Sequence, residues 1–318
     1  MMPSNMTWSV ISSTSTEAAF NTWGKSISDA LAYVGMTNVY RARGAVTGSA
    51  AWTTETGGWQ GGTYNNEKVV EIWTFPSSSL APIYIRLGYG QGAVYQNPRL
   101  TVKLGKTYNG TAGTVDGLGN TTINGIQTQY SQTTTAQLYW LSCDGNGLAF
   151  VMNANNQDGY IGNNAIIIDR YRNVDGSPMT TTVNNSQVAT GAMLFTPNPY
   201  SSFFVHHDMI ENDSYYTQIA PCVTRGGFST ANTNAYLNAY GQTQIYPWWS
   251  AVRSGHGVSK MICTYAHVDR PAGTLQSVAW LTTSTNRVIK TAGYMYSGGT
   301  SIDMNQSSGA AFAIWWSG

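Results

Sequence analysis

Charge is what this sequence has least of. Of its 318 residues, 16 are Lys or Arg and 15 are Asp or Glu, a charged share of 10%, where soluble domains carry about 25%. A net charge of +1 cannot build the basic footprint that a phosphate backbone demands, so nucleic acid is excluded as a partner and acidic polymers fall with it. Cysteine is scarce as well. Cys143, Cys222 and Cys263 are odd in number and widely spaced, so they form neither a disulfide framework nor a CxxC metal or redox pair, and are expected as reduced, buried small hydrophobes. No apolar run approaches the roughly 20 residues of a membrane-spanning helix, and the segment from Met1 to Val10 has no basic start before an apolar stretch. Neither membrane insertion nor an export signal is expected.

Aromatic residues are plentiful instead. With 11 Trp, 20 Tyr and 8 Phe, the chain can build a core and still line a contact surface. A surface kept in solution by Ser, Thr, Asn, Gln and Tyr rather than by charge suits packed subunits better than free monomers.

One segment has helical periodicity. Phe20, Trp23, Ile27, Leu31 and Val34 fall on a single stripe, which predicts an amphipathic helix. Thr14-Ser15-Thr16-Glu17 fits a capping box before it and Gly35 a left-handed stop after it. That face must be buried on the chain's own sheet or on a neighbour, and Phe20, Trp23 and Ile27 are candidate subunit contacts. Beyond Gly35 the period becomes two. Ile83, Ile85, Leu87 and Tyr89 alternate with polar or small residues, as do Leu100, Val102 and Leu104. Leu138–Cys143 and Leu148–Met152 flank Asp144-Gly145-Asn146-Gly147, a hairpin connection. Further strands are expected at Val69–Phe75, Ala165–Tyr171, Met261–Val268, Val278–Thr282 and Ala311–Trp316. Short, Gly-punctuated strands that do not alternate with helices predict a mainly β fold, an antiparallel sandwich or barrel with one N-terminal helix. Two polar stretches, 105–136 and 173–191, read as long connections. The second marks a boundary between a helix-plus-β unit, 1–186, and a second β unit, 187–318, which can also merge into one.

The short motifs point away from catalysis. Gly105-Lys106-Thr107 lacks the earlier Gly of a phosphate loop, because that position is Leu100, and Gly88-Tyr89-Gly90-Gln91-Gly92 lacks a following helix, so it reads as a turn or bulge. Arg253-Ser254-Gly255-His256-Gly257 has Val252 where a serine elbow needs Gly. His206-His207-Asp208 with Glu211 gathers possible ligands, but consecutive imidazoles on a strand face opposite ways, so no metal or other cofactor is assigned. Carboxylates such as Asp144, Asp158, Asp169, Asp175, Asp208, Glu211, Asp213, Asp269 and Asp303 are present, yet nothing singles out a hydrolytic pair. They are expected in lone salt bridges with Arg170, Arg172 or Arg270, or at turns. Tyr246-Pro247-Trp248-Trp249 offers a stacking platform for a glycan, with Tyr246, Trp248 and Trp249 as candidates. The paired Trp315-Trp316 reads as packing.

The succession of short patterns resembles a group of structural proteins of tailed bacteriophages. Trp8, then Thr16-Glu17-Ala18-Ala19-Phe20 and Trp23-Gly24-Lys25 leading to Leu31 and Gly35, looks like their N-terminal segment. Glu71-Ile72-Trp73-Thr74-Phe75 followed by Ala81-Pro82-Ile83-Tyr84-Ile85-Arg86-Leu87-Gly88-Tyr89-Gly90 looks like their central pair of strands. Asp144-Gly145-Asn146-Gly147, Ile166-Ile167-Ile168-Asp169-Arg170 and Asp175-Gly176 carry the likeness to about residue 176, a little over half the chain. The resemblance implies a non-enzymatic virion component, made in the host cytoplasm, of tail, baseplate or fibre-associated type, whose partners are other virion proteins and copies of itself. Capsid decoration is one alternative expectation and a receptor-binding tail protein that touches a host cell-surface glycan is another. A polysaccharide-degrading tail enzyme is the third, and it needs two carboxylates across a cleft.

Overall fold

A computed structural model describes the backbone at 4–8, 17–43, 46–48, 66–76, 80, 82–91, 98–118, 123–127, 137–152, 163–172, 182–183, 186–187, 192–197, 204–210, 213–219, 245–252, 255–265, 275–282, 288–296 and 311–315, and side chains at 21–42, 67–76, 80, 82–90, 100–118, 141–150, 166–172, 261 and 315. The elements run β1 (Ser4–Trp8), α1 (Glu17–Tyr33), β2 (Thr37–Arg43), β3 (Val46–Gly48), β4 (Asn66–Thr74), β5 (Tyr84–Gln91), β6 (Pro98–Asn109), β7 (Thr114–Gly117), β8 (Ile123–Gln127), β9 (Gln137–Cys143), β10 (Gly147–Met152) and β11 (Asn163–Arg170). There follow β12 (Thr182–Val183), β13 (Ser186–Gln187), β14 (Ala192–Pro197), β15 (Phe204–Ile210), β16 (Asp213–Ile219), β17 (Ile245–Val252), β18 (Gly255–Tyr265), β19 (Leu275–Thr282), β20 (Val288–Tyr296) and β21 (Ala311–Trp315).

Hydrophobic periodicity explains α1 and the cap explains where it stops. Gly35 sits at φ 93°, its N–H donates to Ala32 O and the Met36 N–H donates to Leu31 O, both at 3.0 Å. Those two bonds satisfy carbonyls that the last turn would otherwise leave open. The stripe of α1 is buried on the chain's own sheet. Trp23 is 3% exposed and Ile27 0%, and the Trp23 indole meets the Tyr89 ring edge-on at 5.8 Å. Trp23 and Ile27 therefore lie inside this chain and not on a surface offered to a neighbour. The Phe20 side chain is outside the described residues, as are Thr14 to Thr16.

The described ladders are antiparallel throughout. The largest sheet has 14 strands along the path β1-β9-β10-β11-β8-β6-β5-β4-β2-β3, with β7 on β6 and β14-β15-β16 branching from β11. No described ladder joins its two ends. The branch is made by β11, which pairs with β8 at Asn163 and Asn164, with β10 from Ala165 to Asp169, and with β14 from Ile167 to Arg170. Hydrogen bonding thus runs from β11 to β14 across residue 186. A five-stranded sheet, β17-β18-β21-β20-β19, and the short pair β12-β13 complete the set.

One apolar core joins α1 to both arms of the large sheet. It holds Ile27, Leu31 and Val34 of the helix, Val69 and Trp73 of β4, Ile85 and Tyr89 of β5, Leu100 to Leu104 alternately on β6, and Leu141, Phe150 and Ile168 from β9 to β11. The stretch 105–136, expected as a connection, carries the end of β6, β7 and β8. Thr, Val and Ile in it fit a pleated strand despite the polar composition. Gly88 to Gln91, expected as a turn or bulge, is continuous strand, and the bulge lies opposite it, between Glu67 and Val69. Gly88 is required because a Cβ there would meet Glu67 Oε1 at 2.1 Å and Thr101 Oγ1 at 2.4 Å.

Candidate functional site

Three groups of polar side chains are held by this framework, and two of them are internal braces. In the first, Glu71 alternates inward with Val69 and Trp73 and so enters the core, where it is 0% exposed. Its oxygens accept from Ser28 Oγ at 2.9 Å, Arg41 Nε at 2.6 Å, Trp73 Nε1 at 3.0 Å and Tyr89 Oη at 2.8 Å. Four donors meet one carboxylate, so helix, β2, β4 and β5 are tied at a point. On the other face of these strands Arg86 Nη1 donates to Glu67 Oε1 at 3.0 Å and Arg86 Nε to Gly113 O at 2.9 Å.

The second brace is centred on Arg172. Its guanidinium reaches Asp169 Oδ1 at 2.7 Å and Asp144 Oδ1 at 2.9 Å. Burial works against this charge, but the two carboxylates outweigh it and hold the group above the usual arginine range. Asp144 also accepts from the Asn146 amide at 2.9 Å, which shapes the hairpin, while Gly145 takes φ 91°. Asp169 Oδ2 accepts from the Met261 amide at 3.1 Å. That amide is available because the register between β17 and β18 jumps from Pro247↔Cys263 to Trp248↔Ser259. Ser142 Oγ donates to Trp315 O at 2.6 Å, so β9 and β11 are each bonded to the five-stranded sheet.

The third group faces outward. A cleft of about 330 Å³ opens among Thr37, Thr74, Phe75, Tyr84, Tyr108 and Arg170. Its floor is one row of the ladder: Thr37 pairs with Thr74, Thr74 with Tyr84, and Tyr84 with Gly105. Tyr108 closes one side from the tip of the β6–β7 hairpin, 4.7 Å from the Tyr84 ring and tilted 43° to it. Asn109 sets that tip, since its Oδ1 accepts from the Thr111 and Ala112 amides at 2.8 and 3.0 Å. Gly113, at φ 64° and packed under Tyr40, completes the turn. Arg170 closes the other side with its Cζ 5.9 Å from the Phe75 ring centre. Burial and then the neighbouring Arg172 lower its pKa to about 10, partly opposed by Asp169, so it is charged at neutral pH.

Of the residues singled out in sequence, Asp144, Asp169, Arg170 and Arg172 are brought together, although as one buried cluster and not as lone pairs. Tyr246, Trp248 and Trp249 lie on β17, where Trp248 and Trp249 pair with Ser259 and Val258; their side chains are outside the described residues. His206 and His207 are consecutive on β15, opposite Thr217 and Tyr216, and their side chains too are outside. Glu71, Tyr84 and Tyr108 were not legible as site residues. For Glu71 the signal is an acid at an inward position of Val69-Val70-Glu71-Ile72-Trp73. For Tyr84 and Tyr108 there is none, because their pairing depends on the β6–β7 turn.

Chemically, the cleft has aromatic faces, four hydroxyls and one guanidinium, and no carboxylate among its described lining. That set offers stacking faces and hydrogen-bonding groups to a ligand. No helix among the described residues is long and apolar enough to cross a membrane. Neither known family models nor characterised protein sequences match this chain.

Proposed function

We propose that this chain is a non-enzymatic structural subunit of a tailed-bacteriophage particle, at the tail, baseplate or an attached fibre, repeated in a symmetric assembly. Its antiparallel sheets are arranged on this reading as a sandwich around the core shared with α1. The observation that carries it is the character of the sheet ends. β1, β3 and β16 each pair with one described strand only, and Ser4–Trp8 and Val46–Gly48 contain no charged residue and no proline. Proteins that stay monomeric blunt such edges with lysine, proline or inward charges, because an open edge recruits another strand. Of the three, β3 is blunted by its length of three residues and β16 carries Asp213, so β1 is the edge without these devices, and it suits a chain whose neighbours cover it, as does a charged fraction of 10%. The buried carboxylates Glu71 and Asp169 support the same reading, since both are engaged in bracing elements together.

The full chain is expected to sediment as a discrete closed oligomer at micromolar concentration in analytical ultracentrifugation. A monomer that persists up to about 100 μM, where even weak specific association appears, sinks the symmetric assembly.

A further inference from the structure

We propose that the cleft bounded by Thr37, Thr74, Tyr84, Tyr108 and Arg170 binds one neutral sugar ring. The proposal is independent of the virion role and uses other residues than Tyr246, Trp248 and Trp249. Size sets the first limit: about 330 Å³ is at the lower end for small-molecule sites and takes one ring, not a chain. The lining sets the second. A pyranose has an apolar C–H face and a rim of hydroxyls, and this cleft matches both. Tyr108 is 38% exposed, one of two large apolar side chains so exposed among the described residues, and it presents a ring surface beside Tyr84. Across from it, Thr37 and Thr74 pair on adjacent strands in one row, about 4.8 Å apart from strand to strand, within the span of one ring. Each hydroxyl both donates and accepts, whereas Arg170 only donates.

Charge decides between a neutral and an acidic ligand. Arg170 is 3% exposed and stands beside Arg172, whose guanidinium is held by Asp144 and Asp169 at 2.9 and 2.7 Å, so the four groups sum to zero charge. A carboxylate entering the cleft gives up its hydration to reach one guanidinium that is itself buried, a cost that buried ion pairs often fail to recover. A sugar hydroxyl accepts from the guanidinium at no such cost.

The test is saturation-transfer NMR on the full chain with methyl glucoside, methyl galactoside, methyl mannoside and N-acetylglucosamine, and with glucuronate as the acidic probe. At least one neutral sugar is expected to bind at or below about 10 mM. Tyr108→Ala should weaken it about fivefold, the scale of one aromatic contact, with Tyr108→Phe within about twofold of the parent. Thr37→Val, at an exposed position where folding is little affected, should weaken it about threefold. The proposal is overturned if no neutral sugar binds, if glucuronate is preferred, if Tyr108→Ala and Thr37→Val leave binding unchanged, or if Trp248→Ala abolishes it instead.

Discussion

Glu71 shows how a single residue can organise several elements. Its carboxylate lies where hydration is lost, and four donors replace the water. Glu71→Gln would turn an amide N–H toward those donors and leave Arg41 without its ionic partner. The expected cost is about 3 kcal/mol in urea unfolding, since removing one member of a buried pair leaves the other uncompensated. A loss below about 0.5 kcal/mol, the range of ordinary surface changes, would show that the network does not brace the fold. Cys143 gives a pH-dependent counterpart. Burial pushes its thiol from 9.0 up to about 12, so the folded chain keeps a proton that the unfolded chain releases. The associated stability is complete below pH 9 and falls as pH rises toward 12. Relative to Cys143→Ala, the parent should therefore lose stability steadily across that window in denaturant titrations; parallel curves would contradict the assignment. The buried, reduced character of Cys143 was legible from spacing and count. The Glu71 network was not, because its donors come from positions 28, 41, 73 and 89, brought together only by folding.

At the scale of elements, what neighbouring residues encode is legible in the sequence, and what depends on distant pairing is not. The α1 stripe, its Gly35 stop, the alternation of β5 and β6, and the Asp144–Gly147 turn are all written in neighbouring residues. The strand β2 is not legible in this way. Thr37-Asn38-Val39-Tyr40-Arg41 places Val39 and Tyr40 side by side, and a bulge between Asn38 and Tyr40 breaks the alternation that would have revealed it. β7 and β8 were hidden by Gly, Thr and Asn, which are read as connection when no partner strand is in view. The two glycines of the β9–β10 hairpin make a test of this local account. Gly145 has φ 91° and nothing within 4 Å of an added Cβ, while at Gly147 a Cβ would meet Met261 Cγ at 2.3 Å and Asp169 Oδ1 at 2.8 Å. Gly145→Ala should cost about 1 kcal/mol of backbone strain. Gly147→Ala should cost about 2–3 kcal/mol, because it overpacks the point where β18 is bonded to Asp169. Melting temperatures that rank the two the other way would contradict the contact between β10 and β18.

For the whole molecule, a sequence poor in charge, sheet ends β1, β3 and β16 with one described partner strand each, and a core closed on its own helix fit together. The helix does not need a partner to bury Trp23 and Ile27, so on the proposed reading association falls to the sheet edges, β1 first, and not to α1. The mainly antiparallel β class with one helix was legible from period and punctuation. The order of strands was not, since β1 at one end and β3 at the other are placed by pairing across the chain. The proposed virion membership rests on the patterns up to residue 176 together with the proposed assembly. Quantitative mass spectrometry of purified particles from the source of the sequence tests it most directly. The account predicts this chain in every preparation, at a fixed multiple of a single-copy component, retained after gradient purification and nuclease treatment. Absence from the particles, or a ratio that falls with each purification step, would contradict it.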